Sequence, residues 1–190
     1  EATRNLDDLL SKSIEEHLIS DVPLGIWASG GLDSSTILHY AAAVSSRKLE
    51  TFSISFAGRQ FDESRYFRAL AERYNTVHHE FDLSGEVDLS SAIHEMAFYS
   101  DEPSADAGAV PVWFLSRMTA RHVTVALSGE GADEIFGGYQ TYLADRYASL
   151  ARRFPAASLR MGLSAAKLIP VPDENISLEY KIKRVLAGAL

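Results

Sequence analysis

The chain has 190 residues, 46% of them apolar and 23% charged, with a formal charge of −8 and no cysteine. That composition fits one globular domain, with room for a small appendage, and a chain able to bury a substantial core. It excludes disulfides, thiolate metal sites and thiol nucleophiles, argues against a broad nucleic-acid surface, and offers neither an apolar run of membrane length nor a basic-then-apolar leader.

The charge is uneven. Between residues 152 and 184 the basic side chains Arg152, Arg153, Arg160, Lys167, Lys181, Lys183 and Arg184 outnumber Asp173, Glu174 and Glu179. The negative excess therefore sits in the first 150 residues. The chain starts at Glu1 without a methionine, which reads as a piece of something longer.

Leu6, Leu9, Leu10, Ile14 and Leu18 recur at three- and four-residue steps, the pattern of an amphipathic helix, which Asp21-Val22-Pro23 stops. Gly25 to Ala28 is a short apolar strand, and Ser34 to Val44 a helix packed through Ile37, Leu38, Tyr40 and Ala41. Leu49 to Ala57 is strand-like. Phe61-Asp62-Glu63-Ser64 supplies an N-cap for a helix to about Tyr74, on which Arg65, Arg68 and Arg73 read as a solvated face. Thr76 to Leu83 is a third strand and Val87 to Tyr99 a third helix. Ser100 to Gly108 is a polar loop broken by Pro103. Val110 to Arg121 is helical, and His122 to Leu127 a fourth, buried strand. Beyond Tyr142 the pattern is helical, interrupted at Pro155 and at Pro170-Val171-Pro172.

Strands alternating with helices imply a parallel sheet in a doubly wound α/β fold, with a helical C-terminal extension. In such sheets ligands bind beyond the carboxyl ends of the strands, where strand order reverses. Two segments lie at such ends: Ser29-Gly30-Gly31-Leu32-Asp33-Ser34-Ser35, and Ser128-Gly129-Glu130-Gly131-Ala132-Asp133-Glu134. If strands one and four are neighbours, the two loops face one crevice.

Gly30 and Gly31 allow a sharp turn and a close backbone approach. Amides from about Gly31 to Ser35, with the Ser29, Ser34 and Ser35 hydroxyls, then point at an anion such as a nucleotide's phosphates. No P-loop lysine is present; there is no Lys or Arg at all between Asp21 and Ser46. Asp33 beside a phosphate is repulsive unless a magnesium ion bridges them, and Asp133 is the second ligand this reading supplies. Glu134 reads equally well as a helix N-terminal acid. His78 and His79, adjacent on a strand, point to opposite faces and cannot chelate together. His17, His39, His94 and His122 are scattered, and no serine stands in a G-x-S-x-G elbow.

The SGGLDSS segment after an apolar strand resembles the signature of the PP-loop ATP pyrophosphatases, an adenine nucleotide alpha hydrolase-like fold. Leu127 to Tyr139 (LSGEGADEIFGGY) narrows the resemblance to the glutamine-hydrolysing asparagine synthetase family. So do Ser20-Asp21-Val22-Pro23, Phe61-Asp62-Glu63-Ser64, Thr76-Val77-His78-His79-Glu80 and Asp101-Glu102-Pro103-Ser104-Ala105-Asp106. The resemblance covers roughly residues 18 to 140 and implies a cytoplasmic ligase using ATP and Mg2+. In that family an acid's carboxylate attacks the α-phosphate to give an acyl-adenylate and pyrophosphate, and ammonia then displaces AMP.

Carried over, Ser29, Gly30, Gly31, Asp33, Ser34 and Ser35 would hold the pyrophosphate, with Asp33 and Asp133 on magnesium. Trp27 and Ile54 would sit by the adenine; Trp27 is bulkier than the family's aliphatic residue, and filling core is the safer reading of it than stacking on the base. Ser128, Gly129 and Glu130 would face the α-phosphate and the acyl group, and the Asp101 to Asp106 loop would wall the aspartate side.

The implied partners are an acid substrate, aspartate in the family's main line, ammonia, and an N-terminal glutaminase domain whose catalytic cysteine this chain lacks; a homodimer is compatible. Residues 1–140 form the ATP pyrophosphatase domain in this reading, and 141–190 its helical continuation. The family's downstream R-x-P-F-L-D segment has no match from Gly137 onward, so Lys167, Lys181 and Lys183 inherit no role and the isolated chain is expected to be inactive. A tRNA-modifying pyrophosphatase would want a basic face. A relative acting on another acid, by amide or β-lactam formation or peptide cyclisation, and an ATP-binding module without turnover stay open.

Overall fold

The computed structural model describes residues 1–59, 62–85, 87–102, 106, 108–166, 168–169 and 178–190. Phe61, Pro103, Ser104, Ala105, Lys167 and Pro170-Val171-Pro172 lie outside them. The chain divides into two compact units, Glu1–Glu130 and Gly131–Leu190.

In the first unit helices alternate with four parallel strands: α1 (Ala2–His17), β1 (Leu24–Trp27), α2 (Leu32–Val44), β2 (Glu50–Ser55), α3 (Ser64–Arg73), β3 (Val77–Asp82), α4 (Leu89–Tyr99), α5 (Ala109–Thr119) and β4 (Val125–Leu127). The strand order is β3-β2-β1-β4, so it reverses between β1 and β4, where Ile26 pairs with Leu127. Strands one and four are neighbours, as the site reading required.

The two sheet faces are covered differently. On one, Ile26 packs with Ile14, Leu38 and Ala41 of α1 and α2, flanked by Leu70 and Tyr74. Each of the larger side chains contributes about 1.5–3 kcal/mol by leaving water. On the other face Phe52 is fully buried. Gly25 on the neighbouring strand makes room for it, since a Cβ there would lie 2.5 Å from Phe52 Cε2. Phe52→Ala would cost about 3–5 kcal/mol. The same face carries α5: the Trp27 indole Nε1 donates to Thr119 Oγ1 at 2.9 Å, and Phe81 stacks toward Phe114 at 6.0 Å. Helices on both faces make this the doubly wound α/β fold.

Two expectations change. The fourth strand is not His122 to Leu127 and not buried; it is three residues long and partly exposed. Thr124 and Val125 N–H both donate to the Pro23 carbonyl, and Pro23 has no N–H to return, so the ladder starts only at Leu24 and Val125. The arginine face of α3 is not simply solvated either. Arg68 makes a bidentate bridge to Glu80 on β3, at 2.6 and 2.8 Å.

The second unit holds α6 (Ala132–Phe136), α7 (Gln140–Ala151), α8 (Ala156–Ala166) and α9 (Leu178–Ala189). Its core is small: Ala148, Leu159 and Ala189, with Ala151 and Leu186 against them. A Cβ on Gly188 would stand 3.5 Å from that of Ala148, so α7 and α9 approach closely, and Arg152 donates to the Gly188 carbonyl at 3.0 Å. Pro155 ends one helix and opens the next, accepting from the Ser158 amide and hydroxyl. Among the described residues no helix is long and apolar enough to cross a membrane.

Candidate active site

The first loop leaves β1 at the reversal point. Ser29 is exposed, Gly30 and Gly31 turn the chain, and α2 begins at Leu32, two residues earlier than its periodicity indicates. Gly30 has φ +87°, and a Cβ there would lie 2.7 Å from Tyr66 Cβ and 3.0 Å from Phe67 N. Both the left-handed backbone and the contact with α3 require glycine.

The donors are fewer than the sequence implies. The Gly31 amide donates to Ser29 Oγ at 3.2 Å, and the Ser35 amide makes the first helical bond to the Gly31 carbonyl. The Ser35 hydroxyl also donates to that carbonyl, at 2.6 Å, and Ser34 Oγ lies within bonding distance of both it and Ser29 Oγ. Ser and Thr hydroxyls near a helix start commonly satisfy local carbonyls in this way. Among the described residues this leaves the amides of Leu32, Asp33 and Ser34 open, three of the four orphan donors of a helix start. Together with the helix dipole they suit an anion.

The second loop comes to the same place. Gly129 follows β4, and a Cβ on it would stand 2.8 Å from Ser34 N, 3.0 Å from Asp33 Cβ and 3.1 Å from Asp33 C. Ser128 and Gly129 are half-buried and Glu130 is exposed. The two motifs, nearly a hundred residues apart, therefore meet across the first turn of α2. Gly129 packs on that turn with no room for a side chain, next to the open amides. The carboxylate of half-buried Asp33, beside it, has no hydrogen bond or ion pair among the described residues.

Gly131 opens the second unit with φ +91°. The motif continues through α6, closed by Gly137 at φ +68°. The Asp133 carboxylate lies against Gly138, where no side chain could stand, and the Gly138 amide donates to the Asp133 carbonyl at 3.0 Å. Glu134 accepts from the Tyr139 hydroxyl at 2.5 Å. That bond lowers the Glu134 pKa and, with the carboxylate's charge, pushes Tyr139 up to about 12. Among the described residues no group of three or more His, Cys, Asp or Glu could hold a metal by itself. Magnesium bound through one or two carboxylates plus substrate phosphates needs no such group.

The adenine-side residues share a face: Trp27 pairs with Phe52, and Ile54 follows two residues later on β2. Trp27 and Ile54 are both half-buried, with the indole tied to Thr119. His78 and His79 do point to opposite faces. His78 meets Thr51 and Phe67, and burial lowers its pKa; His79 bonds Glu50 at 2.5 Å and stacks on Phe52. In the Asp101 loop, Asp101 and Glu102 are exposed, and Asp106 accepts from the Gly108 amide at 2.8 Å.

Sequence reasoning missed Tyr66 and Phe67 behind Gly30, and Thr119 behind Trp27. The Asp-Glu-Ser signal locates the start of α3, but no local pattern says what that helix touches.

Comparison with known proteins gives a consistent result. A family model described as asparagine synthase matches residues 5–184. A Methanocaldococcus jannaschii protein provisionally named asparagine synthetase [glutamine-hydrolyzing] 2 is 38% identical over 148 residues, 77% of this chain and 28% of the relative. Asparagine synthetase [glutamine-hydrolyzing] 1 of Bacillus subtilis is 34% identical over 167 residues, 88% of this chain and 26% of the relative. Asparagine synthetase B [glutamine-hydrolyzing] of Escherichia coli is 31% identical over 150 residues, 70% of this chain and 26% of the relative. The chain spans about a quarter of the length of these relatives.

Proposed function

Because this chain belongs to the asparagine synthase family, we propose that it is the nucleotide-handling part of an ATP-dependent amide-forming ligase. The side-chain carboxylate of aspartate attacks the α-phosphorus of ATP, the bond from that phosphorus to the bridging oxygen breaks, and pyrophosphate leaves. Ammonia, supplied by a glutaminase domain, then adds to the acyl carbon, loses its proton and expels AMP.

The observation that carries this reading is Gly129 seated on the first turn of α2, beside the open Leu32, Asp33 and Ser34 amides. Those amides receive the departing pyrophosphate and stabilise charge that grows as the bond breaks. Gly30, left-handed and pressed on α3, lets the chain turn there. Asp33 and Asp133 would hold magnesium, which neutralises phosphate charge. Trp27 and Ile54 would offer an apolar wall to the base, and Ser128, Gly129 and Glu130 would face the α-phosphate and the acyl group. Holding carboxylate and phosphorus in line makes up the rest of the rate.

Titration of a fluorescent ATP analogue tests the binding half: saturable binding that weakens at least about tenfold in EDTA is expected. Radiolabelled ATP with aspartate, separated by thin-layer chromatography, tests the chemistry. AMP and pyrophosphate support the reading, ADP and phosphate refute it, and stimulation by a different acid would reassign the substrate.

A further inference from the structure

The nucleotide loop has a back wall, and that wall is hung from one carboxylate. Gly30 touches α3 at Tyr66 and Phe67, where the missing Cβ would stand 2.7 and 3.0 Å from their atoms. Phe67 is itself buried to 1% exposure, so this turn of α3 cannot retreat without emptying core. Wherever α3 starts, Gly30 must follow.

That start is fixed by Asp62. Its Oδ1 accepts from the Ser64 amide and from the Phe56 amide, both at 3.2 Å, and its Oδ2 accepts from the Ser64 hydroxyl at 2.9 Å. One side chain thereby ties the exit of β2 to the first residue of α3. Glu63, the residue at the N-cap position, makes no capping bond with its own side chain. The Phe56 amide, followed by the Ser64 hydroxyl, lowers the Asp62 pKa, so the acceptor is ionised at neutral pH. Arg68 and Glu80 join α3 to β3 farther along, and the Arg68 charge adds a smaller contribution that also favours ionised Asp62.

We infer that Asp62 is a positioning residue for the nucleotide site: by fixing the N-terminus of α3 it holds Gly30, and with it the amides of Leu32, Asp33 and Ser34, in the arrangement that receives phosphate. The consequence for binding rests on the ATP reading above; the consequence for loop order does not.

The test compares Asp62→Ala, Asp62→Asn, Ser64→Ala and Gly30→Ala in the 190-residue chain, well below every melting temperature. Alanine removes all the acceptors. Asparagine keeps an oxygen toward the two amides and presents an NH2 group to Ser64 Oγ, which can turn to accept it, so it should rescue. Hydrogen exchange without nucleotide is read over residues 28–36, with residues 141–151 as the internal reference. In Asp62→Ala, exchange over 28–36 should rise about tenfold while the reference stays put, and Asp62→Asn should stay within about threefold of the parent. Fluorescent ATP-analogue affinity with magnesium should fall about tenfold in Asp62→Ala, and Gly30→Ala should add little on top of it, because both act through one contact.

Ser64→Ala, which deletes only the hydroxyl bond, should shift exchange the same way by a smaller factor and serves if Asp62→Ala does not fold. Unchanged exchange over 28–36, an equal rise in the reference, or an asparagine variant as damaged as alanine overturns the inference. A parent that fails to bind the analogue would sink the ATP reading instead, while the exchange result still decides the positioning role.

Discussion

Gly129→Ala is the sharpest perturbation this site offers, because it adds one methyl at a place where φ is not the constraint. The new carbon would stand 2.8 Å from Ser34 N, 3.0 Å from Asp33 Cβ and 3.1 Å from Asp33 C. Two of those atoms are backbone in the first turn of α2 and cannot swing aside. Overpacking of this kind costs about 1–3 kcal/mol. For a chain of this size that lowers the melting temperature by about 2–4 °C per kcal/mol. The effect on the site should be larger than on the fold. A carbon 2.8 Å from an amide nitrogen occupies a hydrogen-bond acceptor's distance, so the methyl either competes with a phosphate oxygen or pushes the second loop away. Losing one charge-assisted bond of about 1.5–3 kcal/mol weakens nucleotide binding roughly 10- to 150-fold. The control is Gly131→Ala, where nothing lies within 4 Å but φ is +91°, so the cost is backbone strain alone. Isothermal titration with MgATP on both variants decides the matter. Gly129→Ala binding within twofold of the parent would refute the cradle; Gly131→Ala weakening as much would assign the loss to strain.

Asp33→Asn and Asp133→Asn should each abolish the magnesium dependence of ATP-analogue binding while melting within about 4 °C of the parent, the shift expected from about 1 kcal/mol. Variants that melt far lower would make the carboxylates structural. Asp62, Glu80 and Asp82 all have lowered pKa values, set first by the Phe56 amide, by Arg68 and by the Ser84 amide respectively. A folded pKa below the unfolded one means their stabilisation is present above about pH 4–4.5 and is lost as pH falls through the folded values. Melts from about pH 7 down to 2.5 should therefore hold level and then drop, less steeply in Asp62→Ala; an identical acid slope would contradict the assigned bonds. Tyr139, raised to about 12 by Glu134, should not ionise with ordinary tyrosines. Subtracting the ultraviolet titration of Tyr139→Phe from that of the parent should leave almost no phenolate signal at about pH 10.5.

Much of this fold was legible because the local signals and the global arrangement agree. Helical spacing from Leu6 to Leu18, the apolar run before Ser29, and strand–helix alternation each follow from what must be buried. Of the strand order, only the β1–β4 adjacency was inferred, and from the motifs: nothing periodic in β1 or β4 says they pair, but two glycine loops read as serving one ligand would have to be neighbours. What escaped was mostly non-local. One local detail escaped too: the Ser34 and Ser35 hydroxyls at the helix start bond the Gly31 carbonyl. Arg68 reads as solvent-facing until β3 brings Glu80, twelve residues away, opposite it. The stretch from His122 alternates like a strand, but a proline on the neighbouring chain segment delays the ladder.

The charge pattern of the site sets a last expectation. ATP approaches a loop that contains Asp33 and has no lysine or arginine between Asp21 and Ser46. Three open amides and a helix dipole supply about half an elementary charge, too little to offset both a polyphosphate and a carboxylate. The deficit must be met by the cation that arrives with the nucleotide. Binding should then depend steeply on free magnesium and only weakly on monovalent salt, because screening acts on exposed cationic side chains that this loop lacks. Raising potassium chloride from about 50 to 300 mM at saturating magnesium should change affinity by less than about threefold. Removing magnesium at constant ionic strength should cost at least about tenfold. The opposite ranking, with affinity collapsing in salt and indifferent to magnesium, would mean that surface Lys and Arg hold the phosphates. The first turn of α2 would then not be where the nucleotide sits.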